Sequence, residues 1–113
     1  MISRATMTML IAMCLGCSVE EDQFVTEYVE FYCQEALTCL TASELSFNGW
    51  TNQEACMSDY GPKLTTDVDN CLYNPDHARE CLKVAEDGLS CTDDGEVQFP
   101  DECEDVFTDC SAL

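Results

Sequence analysis

The chain has 113 residues, with 23 acidic side chains against four basic ones and a formal charge of −19 at pH 7. That balance excludes nucleic acid as a partner, because nothing here neutralises phosphates, and it excludes an anionic membrane surface as an electrostatic one. The length holds one small domain, and ten cysteines point to covalent staples that supplement a core of this size.

Met1–Arg4 carry one positive charge, and Ala5–Leu15 are mostly apolar. This is long enough for the hydrophobic part of a secretory signal and too short to span a bilayer. Gly16-Cys17 directly after the apolar run resembles the lipobox of bacterial lipoproteins, although Cys14 stands where that family favours Leu. The resemblance implies removal of residues 1–16, lipidation of the Cys17 thiol, a short tether over residues 17–21 and a folded domain over 22–113. Ser18 stands where an Asp would resemble an inner-membrane retention signal. The same likeness therefore implies the outer membrane of a Gram-negative envelope, on its periplasmic or its surface face. Glu20-Glu21-Asp22 is similar to the acidic tract of lipoproteins exported to the cell surface. Without lipobox processing, the signal implies a secreted protein. Loss of Arg4 leaves Lys63, Arg79 and Lys83 against all 23 acids, or 3 − 23 = −20.

The element pattern predicts an all-α fold, a small disulfide-stapled bundle of about four short helices. Ser18-x-x-Glu21 has capping-box form, and helical periodicity runs from Asp22 to about Ala42. At 100° per residue the apolar positions, from Phe24 to Leu40, fill an arc of roughly 240°, which marks a central helix covered on more than one side. Phe47-Asn48-Gly49 predicts a turn. Thr51-x-x-Glu54 predicts the next capping box, with Trp50 as its staple, and a helix to Tyr60. Gly61-Pro62 is expected to interrupt it before a continuation from Lys63 to about Leu72. Asn74-Pro75 predicts a third helix, with Asn74 as N-cap and Gly88 as its stop. Thr92–Phe99 predicts a turn-rich acidic loop in which only Glu96–Phe99 has extended character. Pro100-Asp101 predicts a short last helix carrying Cys103, Val106, Phe107 and Cys110.

With Cys14 in the signal and Cys17 under lipid, eight cysteines remain: Cys33, Cys39, Cys56, Cys71, Cys81, Cys91, Cys103 and Cys110. An even set in a short exported chain predicts four disulfides. Zinc spacing is absent, and Cys14-x-x-Cys17 lacks the strand-to-helix setting of a redox motif. Cys103 and Cys110 lie about 10 Å apart along a helix, and Cys33 and Cys39 point about 120° apart around theirs, so the bridges join different elements. Of about 105 pairings, the one that minimises loop closure nests Cys39–Cys56 inside Cys33–Cys71 and Cys91–Cys103 inside Cys81–Cys110.

Catalytic chemistry is hard to find. The single histidine, His77, falls in the first turn of the third helix beside Asp76 and Glu80, which reads as solvated surface. Acidic pairs such as Asp93-Asp94, Asp101-Glu102 and Glu104-Asp105 are too numerous to mark a catalytic dyad. We therefore expect no enzyme, no cofactor and no metal centre. Two stretches approach a calcium loop. Asp67-x-Asp69-Asn70 has Leu72 in place of the glycine, and Ser90–Asp101 has Gly95 but begins with Ser and lacks the closing Glu. Trp50, Tyr60, Tyr73 and Phe99 sit at helix ends or in loops and read as caps on the core, with partner anchoring as the alternative.

The lipobox, the even cysteine set, a C-L-x-N-P-x5-C element from Cys71 to Cys81 and a late Pro100-x-x-Cys103 together resemble the small cysteine-rich lipoproteins of myxobacteria and related predatory bacteria. That resemblance implies location and architecture and carries no activity. The function expected is a non-enzymatic acidic interaction or structural module, tethered to the membrane by lipid and meeting a cationic or envelope protein. A calcium-responsive surface protein and a small secreted inhibitor or effector are the alternatives.

Overall fold

The computed structural model describes residues 19–110. The expected signal segment, Cys14, Ser18 and the expected lipidation position Cys17 lie outside the described residues. The order is α1 (Glu21–Cys39), α2 (Ala42–Asn48), α3 (Gln53–Asp67), β1 (Leu72–Tyr73), α4 (Pro75–Asp87), a 3-10 turn (Asp101–Cys103) and β2 (Phe107–Thr108). The molecule is mostly helical, as expected, but it also holds a small antiparallel ribbon that pairs Leu72 with Thr108 and Tyr73 with Phe107.

α1 is the central element, and both α3 and α4 pack on it. Its buried residues are Phe24, Val25, Tyr28, Val29, Cys33 and Ala36, which lie on the apolar arc and leave Glu30 and Gln34 exposed. Ala78, Cys81 and Ala85 form the buried stripe of α4. Trp50, Cys56, Cys103 and Val106 complete the core.

The helix boundaries depart from expectation where local bonding or tertiary pairing prevails. α1 starts at Glu21 with Glu20 in the N-cap position and no side-chain cap from it, one residue earlier than expected; Ser18 lies outside the described residues. The periodicity that continued past Cys39 belongs to a separate helix. Thr41 and Glu44 form a reciprocal capping box that starts α2, and Gly49, in the left-handed region at φ 75°, ends it. α3 is capped by Asn52, whose side chain accepts from Ala55 N at 2.8 Å, and not by Thr51. It also runs through Gly61-Pro62 without a break. Pro62 faces solvent, so the carbonyl it leaves without a helical partner can bond water. Gly61 faces Val29 of α1, and packing on α1 holds both halves in line.

Asn74 occupies the N-cap position of α4, but its side chain does not cap. Its amide nitrogen donates instead to the carbonyls of Asp105 (2.8 Å) and Val106 (3.3 Å) and to Thr108 Oγ1 (3.2 Å). The C-terminal segment is thereby tied to the start of α4. The predicted last helix contracts to the 3-10 turn, because Phe107 and Thr108 are drawn into the ribbon with β1. Asp109 then turns the chain at φ 52°.

All eight cysteines are paired, between different elements as expected, but the preferred connectivity is wrong in every pair. The disulfides are Cys33–Cys56, Cys39–Cys91, Cys71–Cys110 and Cys81–Cys103. A nest does form at the C-terminal end, where Cys71–Cys110 encloses Cys81–Cys103. At the N-terminal end, Cys33–Cys56 and Cys39–Cys91 interleave. The physical reason is that α1 packs against α4 as well as α3, which brings the end of α1 to the segment following α4. Cys39 therefore meets Cys91 across 52 residues and not its near neighbour Cys56.

Candidate functional site

Among the described residues, a concavity of about 650 Å³ forms a groove between the end of α1, the exposed helix α2 and the loop after α4. Its aromatic residues are Tyr32, Trp50 and Phe47, and its polar ones include Glu44, Asn48 and Glu96. Trp50 is held from two sides. Its backbone N–H donates to Leu45 O at 2.8 Å, and its indole Nε1 donates to Asp59 Oδ2 at 3.0 Å. Lys63 bonds the same carboxylate oxygen at 3.0 Å, and the indole bond first, with Lys63 second, holds Asp59 below the usual carboxylate range. Tyr32 stacks on Tyr60 with ring centroids 4.1 Å apart and meets Trp50 edge-on. Burial, and then the charge of Glu96, push the Tyr32 phenol upward.

α2 contributes no buried residue, and Phe47 at its end is 91% exposed. A seven-residue helix is too short to persist by propensity, and its caps hold it. The Thr41 backbone N–H and hydroxyl donate to Glu44 Oε1 at 2.9 and 3.2 Å, and the Asn48 side chain donates to Glu44 O at 3.0 Å. On the opposite wall, Cys91 and Val97 form an antiparallel bridge, and the turn between them is closed by bonds to Thr92. Cys39–Cys91 fastens that wall to the end of α1. The groove is thus framed by one disulfide and two capped ends.

A second, smaller cavity of about 270 Å³ lies beside the core and is lined by Phe24, Tyr28, Leu64, Phe99, Val106 and Phe107, among others. It is mainly apolar, with Glu104 also at its lining. Trp50 is buried, Tyr60 and Tyr73 are half-buried against the core, and Phe99 is half exposed, so these aromatics do cover the ends of the core. Phe47, which the sequence predicts as a turn residue, is instead the last apolar residue of α2 and the most exposed large apolar side chain described.

His77 is exposed, as are Asp93, Asp94, Asp101, Glu102, Glu104 and Asp105. Among the described residues the one grouping with metal-ligand spacing is Glu35, Cys39 and Cys91. Glu35 Oε2 lies 3.8 and 3.9 Å from the two sulfurs. Those sulfurs are bonded to each other, so neither is a thiolate ligand nor a proton donor. No described helix is long and apolar enough to cross a membrane. No protein-family model, curated protein or solved structure matches this chain.

Proposed function

We propose that this chain is a non-enzymatic, lipid-anchored module of a bacterial outer membrane, acylated at Cys17, whose rigid acidic surface engages a cationic region of another envelope protein. The reading is carried by the charge distribution on a cross-linked scaffold. Of the three cations left after signal removal, Lys63 and Arg79 are spent on internal pairs with Asp59 and Asp76. The surrounding acidic groups therefore lack counter-charges within the domain. A surface of this sign steers basic partners and disfavours acidic ones. Four bridges between elements suit an exported protein, and an export signal that ends in Gly16-Cys17 supplies the tether.

The test uses cells that make the full chain. Palmitate labelling with envelope fractionation reads the anchor, and a water-soluble carbodiimide, which joins carboxylates to nearby amines, reads the partner. The expected result is a labelled envelope protein that gives a discrete higher-mass adduct, with label and adduct both lost in Cys17→Ser. An unlabelled chain in the medium, or one that gives no adduct in the envelope, contradicts the proposal.

A further inference from the structure

We propose that the groove between α1, α2 and the Cys91–Val97 loop is the docking site for a lysine- or arginine-bearing segment of a partner polypeptide. This rests on the interaction-module reading and gives it a place and a chemistry. In α2 only Leu45 packs partly against the core, and the helix ends in a nearly fully exposed Phe47, so the core does not account for this aromatic residue. Phe47, Tyr32 and Trp50 line the groove together with the carboxylates of Glu44 and Glu96, and none of the lining side chains is a cation.

Aromatic faces beside uncompensated carboxylates suit an ammonium or guanidinium group. The ring attracts the cation, the carboxylate pairs with it, and the aliphatic stem of the side chain covers the aromatic surface. Glu44 spends Oε1 on the α2 cap, which fixes its direction and leaves its second oxygen for a ligand. A second copy of this chain fits poorly, because both faces would carry the same sign. The groove is also preformed: Cys39–Cys91 sets the spacing of two walls, and Trp50 is anchored through Leu45 and Asp59, so little ordering is needed on binding.

Trp50 is the only tryptophan, so its fluorescence reports on the groove directly. The experiment titrates the oxidised protein with N-acetyl hexalysine amide, following Trp50 emission and binding heat. The variants are Phe47→Ala, the double variant Glu44→Gln with Glu96→Gln, and a control of equal charge change, Glu30→Gln with Glu54→Gln. Glutamine at position 44 preserves the capping box. Neither control acid lines the groove, and Glu30 points about 160° away from Tyr32 around α1.

The expected result is saturable one-to-one binding with a change in Trp50 emission. Phe47→Ala weakens it by about two- to fivefold, the groove double variant by about fivefold, and the control by less than about twofold. Equal weakening by the two double variants, with no effect of Phe47→Ala, overturns the groove but leaves an acidic interaction surface. Displacement of the peptide by choline at equal cation concentration also overturns it, in favour of a small headgroup ligand. Absence of saturable binding even at low salt overturns both the groove and the module reading.

Discussion

Phe24 and Phe47 are the same side chain on two helices of one small protein, and burial separates their roles. Phe24 is 3% exposed and packs with Tyr28, Tyr73 and Phe107, so Phe24→Ala is expected to cost about 3–5 kcal/mol. Phe47 is 91% exposed, and Phe47→Ala is expected to change stability by less than about 0.5 kcal/mol. Chemical denaturation of the oxidised protein checks both, and comparable losses would contradict the burial described. Asn74 matters for a different reason: three carbonyl or hydroxyl partners accept from its one amide nitrogen. Asn74→Ala should cost about 1–3 kcal/mol and should raise amide exchange along Phe107–Thr108 before it affects α1. The tyrosines set the alkaline limit. Burial raises the phenols of Tyr28 and Tyr32, and it is the main cause that lifts Tyr60 and Tyr73 to about 12. The folded state keeps protons that the unfolded chain releases near pH 10, so stability falls as pH rises from about 10 towards 12. Absorbance at the phenolate band should show no tyrosine titrating normally in the folded protein, and a phenol ionising near pH 10 would contradict this.

At the scale of elements, the sequence revealed whatever was written in local chemistry. Central α1, the Asn74-Pro75 start and Gly88 end of α4, and disulfides that avoid pairs within a helix were all legible from periodicity, proline geometry and reach. α2 was missed although its signal is local: Thr41-x-x-Glu44 is a capping box followed by Gly49, but the longer apolar run masked the break at Leu40. Three features were not legible, because tertiary partners decide them. Pro62 stays helical because α3 is held along α1. Phe107-Thr108 is extended because Leu72-Tyr73 lies beside it. Cys39 crosses to Cys91 because α1 has two neighbours, whereas the loop-closure argument allowed it only the next helix. Loop closure is a weak discriminator here: its cost grows only with the logarithm of length, so one good packing contact outweighs it. The groove was invisible for the same reason, since Tyr32, Phe47 and Glu96 lie far apart in the chain and share no local motif.

On the scale of the whole molecule, two opposing terms set stability. An excess of acidic groups repels itself in the compact state, and four covalent links restrict the unfolded chain. With loops spanning 22 to 52 residues, each link contributes about 3–4 kcal/mol in the chain-entropy account. Together they are comparable with the whole stability of an ordinary domain, about 5–15 kcal/mol, so reduction should unfold the protein. Sodium chloride should raise the thermal midpoint of the oxidised protein by screening the repulsion, and a midpoint that falls with salt would contradict the balance described. The proposed envelope module needs both its lipid tether and its four staples. The most direct measurement is the intact mass of the natively produced protein, alkylated without reduction. The predicted result is a chain that begins at Cys17, carries acyl mass and has no alkylated thiol. An unacylated chain, or one with free thiols, would contradict it.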